Sequence, residues 1–357
     1  MPPILTYYRI PVLELSPNFL ILIFAASIDR IIGDPVNWLH PVQVMGWIIS
    51  QFTNLVLIKD PASNHRIPRF APLIMKMLGM VLGISMILGS GVISWLIAIA
   101  AAKVHPIFAI AVSSILLAAC FAGRSLRDAA ESVLAVLQTG DLQKARQELS
   151  RYVGRDTEDL TELEILRAVL ETVTENAIDA VTSPLFYALV GSALFDYGGL
   201  ALAIAYKAAS TLDSMVGYRE APYTDLGWFS AKTDDVLTWL PCRLTVLTLA
   251  LLSGKPVYVW RICDRDAKQD PSPNSGWSEC VYAAILQVQL GGKNRYRGLV
   301  KQKPLLGDAI SAIASPKISQ ALQLTRICFL LWLSFTIGLT IIADFDFLIG
   351  EFVKFIN

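Results

Sequence analysis

Long apolar runs alternate with charged stretches along this chain of 357 residues. A helix needs about 20 apolar residues to cross a bilayer. Residues 73–102 exceed that length, and residues 104–120 and 327–343 approach it. A shorter apolar run, 18–28, leads directly into an aspartate and an arginine. The pattern predicts a membrane protein in which the first three of these runs are spanning helices.

Two further apolar runs are ambiguous. Residues 184–206 are interrupted by an aspartate and two glycines, and residues 236–253 contain a proline and an arginine. Each run is compatible with a full span, a broken helix or a re-entrant hairpin. If the polar segments between these runs build one site, the chain must cross the bilayer an even number of times between them. This condition favours runs that are re-entrant or packed inside the protein.

The polar segments lie at about 121–179, 207–235 and 254–325. In the first, charges recur while leucine and valine keep helical spacing, which predicts a helical insert, with Thr157 or Thr161 capping its last helix. The third carries nine Lys or Arg between Lys255 and Lys303, which favours the cytoplasm for that face. We therefore expect an all-α, polytopic membrane protein, one domain over 1–357, with a charged helical insert on the cytoplasmic face.

The composition supports the assignment as a membrane protein and limits the kinds of partner that it can bind. Hydrophobic residues make up 54% of the chain, charged residues 17%, and the mean hydropathy is +0.52. The 30 basic and 30 acidic residues balance, so no polybasic field indicates nucleic acid as a partner. The five cysteines form no C-x-x-C pair, and three histidines are too few for a histidine metal cluster.

The stretch TENAIDAVTSP, residues 174–184, places carboxylates at the edge of an apolar run. On a helix, Glu171, Glu175 and Asp179 share one face, where each like-charge pair costs roughly 0.2–0.5 kcal/mol. One interpretation is a solvated acidic face, especially for Glu171. The other is that Glu175 and Asp179 hold a divalent cation or a cationic group, with Asn176 beside them.

A second polar cluster is YKAASTLDSMVGYR, residues 206–219. Lys207 shares a helical face with three hydroxyl side chains, and Asp213 sits beside that face. Lys207 either forms a structural ion pair with Asp179 or contacts a phosphate or carboxylate of a ligand.

Two later segments mix charges with aromatic or turn residues. Between 221 and 241, charged residues such as Lys232 and Asp235 are interleaved with aromatic residues such as Trp228. From the residues alone, an interfacial aromatic belt is favoured over the wall of a pocket for a large flat ligand. Downstream, a proline-rich turn, a helix from about Ser278 and a basic loop at Lys293 look suited to an anion.

The segment IDRIIGDPVNWLHPVQVMGWI, residues 28–48, reads as a juxtamembrane turn closed by Gly33 and Pro35. GGKNRYRG is not a Walker A loop, and no nucleophile elbow, zinc-protease or dinucleotide fingerprint is present. The residues alone thus indicate a membrane protein with an acid-rich polar face, and no particular reaction.

Six motifs in a fixed order resemble the adenosylcobinamide-phosphate synthase (CobD/CbiB) family of cobalamin-biosynthesis membrane proteins. They are DRIIGDP with the following HPV, ENAIDAVTSPLFY, YKAASTLDSMVGYR, DLGWFSAKTDDVLTWLPCRLT, SPNSGW and VQLGG, and they cover about residues 20 to 310.

The resemblance implies an ATP-dependent ligase of the cell (inner) membrane. It would join the propionate carboxylate of cobyric acid, a corrinoid, to the amine of aminopropanol or of aminopropanol phosphate. ATP would activate the carboxylate as an acyl phosphate, with Mg²⁺ neutralising the transferred phosphoryl group. The lipid bilayer and other cobalamin-biosynthesis enzymes are the further partners that it implies.

The same resemblance suggests roles for individual residues. Glu175 and Asp179, with Asp213, would hold Mg²⁺ or the ammonium of the amine, and Asn176 would orient one of them. The groups that would meet phosphate, carboxylate or the corrin ring are Lys207, Arg219, Trp228, Phe229, Lys232, Asp235, Asn274, Trp277 and Lys293.

Two other classes compete with the ligase. A corrinoid-binding or transport protein would use the same charges as a pathway and would show paired broken helices in two related halves. A scaffold would recruit soluble enzymes through the charged insert at 121–179. No internal repeat is visible in the sequence.

Overall fold

The computed structural model describes residues 17–34, 40–59 and 65–356. This part of the chain is mostly helical, as expected from the sequence. Its helices are α1 (Pro17–Ile31), α2 (Pro41–Val56), α3 (Pro72–Val104), α4 (Pro106–Ala118), α5 (Gly123–Gln138), α6 (Leu142–Leu149), α7 (Glu162–Ala177), α8 (Ser183–Leu194), α9 (Gly198–Val216), α10 (Trp228–Leu252), α11 (Pro256–Asp266), α12 (Ser275–Leu286) and α13 (Ser315–Ile356). A π-helical turn, Ile178–Thr182, joins α7 to α8, and a 3₁₀ turn, Ala267–Gln269, follows α11.

Within the described residues, five helical stretches are long and apolar enough to cross a membrane. Three belong to single helices: α3, α10 and the part of α13 up to Gly338. The other two, Pro106–Gln138 and Glu162–Leu194, join α4 to α5 and α7 to α8. The predicted apolar run at 73–102 lies in the first of these stretches, and the runs at 104–120 and 327–343 overlap two others, from Pro106 onward and up to Gly338. The prediction of a polytopic helical membrane protein is confirmed.

The two ambiguous apolar runs have different structures. The first is broken between α8 and α9, which pack against each other as a helical hairpin. Gly191 and Gly198 make this packing possible, because a Cβ on Gly191 would lie 2.1 Å from the carbonyl oxygen of Gly198. The second run lies in α10, which is one continuous helix with Pro241 inside it.

We expect Gly191→Ala to lower the thermal unfolding temperature of the detergent-solubilised protein. The added methyl group meets backbone that cannot move aside, and overpacking of this kind costs about 1–3 kcal/mol. Gly89→Ala is the matched control in α3, because a Cβ at this position would have no atom within 4 Å and alanine favours a helix by about 1 kcal/mol. Equal unfolding temperatures for the two variants would contradict the packing argument.

The predicted charged insert is built from α5, α6 and α7. Thr161 caps α7 in a capping box with Glu164: the Glu164 N–H donates to the Thr161 hydroxyl at 3.4 Å, and the Thr161 N–H donates to the Glu164 carboxylate at 2.8 Å. Of the two threonines expected as caps, Thr161 fills the role, while Thr157 is buried upstream of the helix.

Two antiparallel hairpins interrupt the helical pattern: β1 (Leu57–Lys59) with β2 (Arg66–Pro68), and β3 (Leu290–Tyr296) with β4 (Leu299–Leu306). The prediction of a basic loop at Lys293 is therefore wrong, because Lys293 lies inside strand β3. The helix expected from about Ser278 begins three residues earlier, at Ser275.

The π-helical turn lies at the centre of the fold. It packs against α8, α10 and α13, while α7 packs against α12 and α9 packs against α10. The hydroxyl groups of Thr182 in the turn and Thr245 in α10 lie 2.8 Å apart. Residues that flank the turn are thus brought close to those of α9, α10 and α12.

Candidate active site

The π-helical turn has a local cause in the sequence. Pro184 has no N–H, so it cannot donate to the carbonyl of Ala180 four residues earlier. That carbonyl instead accepts a hydrogen bond of 3.0 Å from the N–H of Ala122, just before α5. π-Helical turns are rare and occur frequently at functional sites. This one carries Asp179.

Acidic side chains from three elements converge near the turn. Asp179 lies within electrostatic range of Glu175 in α7, Asp213 in α9 and Asp235 in α10. Asp234, the neighbour of Asp235, faces the same group. The structure therefore brings together Glu175, Asp179, Asp213 and Asp235, the carboxylates predicted to form the site, and adds Asp234.

The acidic cluster is largely buried and only partly hydrogen-bonded. The Oδ1 atom of Asp234 is buried without any hydrogen-bond donor among the described residues. Burial, and secondarily the charge of Asp235, raise the pKa of Asp213 to about 6. A buried carboxylate oxygen without a donor is costly, so this position favours a cationic or hydrogen-bonding ligand.

Lys207 is a cationic residue of α9 near this cluster. It is within electrostatic range of Asp179 and of Asp34, which follows α1. Lys207 forms no ion pair within 4 Å with any carboxylate in the described residues, so the structural ion pair with Asp179 is absent. Its ammonium group remains available to a ligand.

Asp34 extends the site toward the segment after α1. It contacts His40 at 3.2 Å and accepts a hydrogen bond of 2.6 Å from the Ser125 hydroxyl. Burial acts against these bonds, yet the net effect lowers the pKa of Asp34, so the carboxylate stays charged. The turn predicted for this segment includes Pro35, which lies outside the described residues.

Asn176 and Asn274, predicted to orient ligands, mainly bind the protein itself. The Asn176 amide donates to the carbonyl of Thr172 at 2.9 Å. The Asn274 amide donates to the carbonyl of Asp235 at 2.8 Å, and its oxygen lies 3.5 Å from an Arg243 nitrogen. Asn274 therefore links the start of α12 to α10 beside the acidic cluster.

The predicted basic contacts divide between two places. Lys232 pairs with Asp235 at 3.7 Å, and Arg219 lies within electrostatic range of Asp235 while donating to the carbonyl of Pro271 at 3.0 Å. Lys293 instead lines a separate cavity between β3 and the 150–164 segment. The structure places Lys232 and Arg219 beside the acidic cluster and Lys293 away from it.

The aromatic residues expected near the corrin ring also differ from one another. Trp228 is 45% exposed at the start of α10, where a large ligand can reach it. Trp277 is buried, with Arg243 stacked 4.5 Å from its ring centre and Trp260 at 5.3 Å. Phe229 packs against Gly83 of α3. Of these three side chains, Trp228 is the most exposed, with the Lys76 ammonium 5.9 Å from its ring centre.

Two candidate functional residues, Glu279 and Lys303, were not predicted from the sequence. Glu279 of α12 is fully buried, and its Oε1 pairs with the Lys303 ammonium of β4 at 3.2 Å, while its Oε2 has no donor among the described residues. Both side chains are within electrostatic range of Glu175. Burial raises the pKa of Glu279 to about 8, although Lys303 opposes this shift. A lone glutamate in the apolar helix sequence GWSECVYAAIL was the available signal.

Glu171 has a different role from the one expected of a solvated acidic face. Its side chain is fully buried and forms ion pairs with Arg155 and, at 4.0 Å, with Arg167. It also accepts a hydrogen bond of 2.9 Å from the Gly291 N–H of β3. The interpretation of Glu171 as solvated is therefore wrong: the residue anchors the β3–β4 hairpin to α7.

The donor set near the turn fits a hydrated or phosphate-bound Mg²⁺ better than a metal enclosed by protein. Among the described residues, no group of three or more His, Cys, Asp or Glu is arranged to hold a metal ion. Mg²⁺ commonly uses one or two carboxylates and takes its other ligands from water and substrate phosphates. Glu175 and Asp179 are consistent with that pattern.

Comparison with known proteins places these residues in a family. A sequence model described as "CobD/Cbib protein" matches residues 22–325. A Synechocystis protein named cobalamin biosynthesis protein CobD is 53% identical over 331 residues, which are 92% of this chain and 94% of that protein. A protein of the same name from Halalkalibacterium halodurans is 38% identical, covering 85% and 90% of the two chains. Cobalamin biosynthesis protein CbiB of Salmonella typhimurium is 37% identical, covering 88% and 93%. No solved structure matches the chain.

Proposed function

Because the chain belongs to the CobD/CbiB family of cobalamin-biosynthesis proteins, we propose that it is an ATP-dependent ligase that forms an amide on a corrinoid. The carboxylate substrate is the propionate of cobyric acid or its adenosylated form. The amine is aminopropanol or its phosphate ester. The observation that carries the proposal is the convergence of five carboxylates near the π-helical turn, beside an unpaired lysine.

The proposed chemistry has two balanced steps. The propionate oxygen attacks the γ-phosphorus of ATP and ADP leaves, which gives an acyl phosphate. The substrate ammonium first loses one proton to a carboxylate. The amine nitrogen then attacks the acyl carbon, and the amide forms as inorganic phosphate leaves with the second N–H proton. A carboxylate is a poor electrophile, so the energy of ATP is needed for the first step, and Mg²⁺ would neutralise charge on the phosphates.

The side chains of the cluster supply binding and proton transfer. Glu175 and Asp179 would hold Mg²⁺ or attract the substrate ammonium, and Asp234 offers a buried oxygen that still lacks a donor. Asp213, with a pKa raised to about 6, is suited to accept the proton that the ammonium must lose. Lys207 would contact a phosphate or carboxylate oxygen of a substrate, since no protein carboxylate within the described residues pairs with it.

The edge of the cluster is suited to a large substrate. Lys232 is 63% exposed and Trp228 is 45% exposed, and both lie in the first turns of α10. Arg219 is exposed on the segment before α10 and lies within electrostatic range of Asp235. These groups would meet the peripheral carboxamides and the ring of a corrinoid that enters from the polar side.

The assay that tests the function is mass spectrometry of the corrinoid product. Detergent-purified protein is incubated with adenosylcobyric acid and Mg-ATP, and with aminopropanol in one reaction and aminopropanol phosphate in the other. We expect a mass gain equal to one amide with one of the two amines, together with one ADP released per product. Reactions without ATP and reactions without Mg²⁺ are the controls, and both should leave the corrinoid unchanged.

The contrary result is equally clear. If the corrinoid binds to the purified protein and neither amine is joined to it, the ligase is excluded and a corrinoid-binding protein or a scaffold remains. Product formed without ATP consumption would exclude the acyl-phosphate route.

A further inference from the structure

A second polar site borders the π-helical turn at Val181. It is a cavity of about 100 Å³ at the end of α1, the start of α5 and the middle of α13. Four arginines line it: Arg30, Arg124, Arg127 and Arg326. No residue predicted from the sequence to act in the site belongs to this group, and the ligation proposed above does not use it.

The charges of this arginine cavity are only partly balanced. Arg124 pairs with Asp128 at 2.9 Å and also donates to the carbonyls of Arg30 and Ile31 at 3.2 and 3.1 Å. Arg127 pairs with Glu131 at 3.4 Å. Two guanidinium groups of the cavity therefore already have acidic partners.

Arg30 and Arg326 differ from the other two arginines. Neither forms an ion pair within 4 Å with a carboxylate of the described residues. Arg30 experiences the repulsion of the other three arginines and, more weakly, the attraction of Asp29. Asp29 also lines the cavity, and its carboxylate accepts a hydrogen bond of 3.4 Å from the backbone N–H of Arg124. The cavity thus has a net positive charge and two guanidinium groups free to bind an anion.

The arginines of the cavity stand at the ends of three apolar runs of the sequence. The apolar run 18–28 ends just before Arg30, the run 104–120 ends just before Arg124, and the run 327–343 begins just after Arg326. Three separate apolar segments therefore meet their first basic residues at one place. In a membrane protein this is the expected position of the boundary between the hydrocarbon and the headgroups.

The remaining walls of the cavity are apolar. Phe329 and Leu330 of α13 line it together with Ala26, Leu126, Val181 and Leu322. The apolar surface continues along α13, where Leu330 and Leu331 are each 44% exposed and Phe335 is 69% exposed. A ligand seated among the arginines would have its charged end in the cavity and an apolar path beside it.

We propose that the arginine cavity binds the phosphate of an anionic phospholipid at the membrane boundary. Guanidinium groups match phosphate oxygens in geometry and charge. Arg30 and Arg326 provide two of them that form no ion pair within 4 Å in the described residues, although the Asp29 carboxylate lies within electrostatic range of Arg30. The acyl chains lie along the exposed apolar face of α13. The lipid fills a positively charged cavity and stabilises the junction of α1, α5 and α13, independently of the reaction that the acidic cluster carries out.

The test is native mass spectrometry of the full-length protein after delipidation in detergent and titration with phosphatidylglycerol or phosphatidylcholine. We expect wild type to retain phosphatidylglycerol in preference to phosphatidylcholine. Arg30→Gln/Arg326→Gln should weaken that binding by about 10-fold or more, since each basic residue near an anionic surface contributes roughly fivefold. Arg326→Lys, which keeps the charge, should retain most of the binding.

The matched control is Arg151→Gln/Arg261→Gln, which removes the same charge from two exposed arginines outside the cavity. It should bind phosphatidylglycerol as wild type does. Equal binding by wild type and the cavity variant would overturn the proposal. The proposal would also be overturned if inorganic phosphate or Mg-ATP at millimolar concentration displaced the bound phosphatidylglycerol. The cavity would then serve a soluble phosphate compound. Thermal unfolding of each variant confirms that the protein measured is folded.

Discussion

Asp179→Asn is expected to reduce ligation by on the order of 10²- to 10³-fold while leaving the folded protein as stable as wild type or more stable. Asparagine has the shape of aspartate but not its charge. Asp179 sits among Glu175, Asp213 and Asp235, so the substitution removes repulsion between like charges in the protein without ligands. The same substitution removes the attraction for Mg²⁺ or the substrate ammonium, which is why activity and stability should change in opposite directions.

Two measurements on the same preparation check this expectation. Product formation is followed by mass spectrometry of the corrinoid, and stability is followed by thermal unfolding in detergent. Asp128→Asn is the matched control, since Asp128 is 55% exposed in a surface ion pair with Arg124 and should leave ligation unchanged. If Asp179→Asn kept activity within a few fold, or lowered the unfolding temperature by several degrees, Asp179 would be a structural residue.

Glu171→Ala should have the largest effect on stability, a loss of about 3–5 kcal/mol. Glu171 is fully buried, and the side chain of its partner Arg155 is only 7% exposed. Removal of the carboxylate leaves a buried guanidinium without its counter-charge and takes the acceptor from the Gly291 N–H. Because this contact holds β3 to α7, we also expect the β3–β4 hairpin to become sensitive to proteolysis.

The measurement is thermal unfolding with limited proteolysis of the wild type and variants in the same detergent. Glu131→Ala is the matched control, because Glu131 is 57% exposed in its ion pair with Arg127 and should cost less than about 1 kcal/mol. Replacement of both partners, Arg155→Met/Glu171→Leu, should recover part of the loss, since no buried charge is then left alone. A Glu171→Ala variant as stable as Glu131→Ala would show that the buried pair contributes little.

The position of Glu171 also explains how the hairpin reaches the candidate active site. With β3 held against α7, strand β4 runs beside α12, and Lys303 meets the fully buried Glu279. Arg155 and Arg167 both donate to the Asn294 side chain, which further fixes the strand. The anchoring residues therefore support the acidic cluster indirectly, because they hold Lys303 within electrostatic range of Glu175.

Family membership and the arrangement of the site support the proposed ligase in different ways. The comparisons relate the whole chain to proteins named for cobalamin biosynthesis. The structure contributes the side chains: an acidic cluster able to attract a cation, an unpaired Lys207 and an exposed Trp228 at its edge. The arginine cavity is separate from this cluster, and we propose it as a lipid-phosphate site at the level where the apolar runs end.

The sequence by itself determined the membrane class, most of the helices and the first members of the site. A bilayer requires long apolar helices, so runs such as 73–102 can be recognised as spans without any tertiary information. The capping box at Thr161 and the break after α8 depend on neighbouring residues and could also be anticipated. Glu175 and Asp179 stood out because carboxylates at the edge of an apolar run are costly.

Only the tertiary structure decided which charges meet. Glu171 contacts Gly291, Glu279 contacts Lys303, and Arg30 faces Arg326, although long stretches of chain separate the members of each pair. Periodicity reports which residues share a helical face but not which helix lies opposite, so it could not show that Glu171 is buried. Strand β3 escaped prediction for a related reason: its glycines and basic residues lack an apolar alternation, and pairing with β4 and α7 holds it in place.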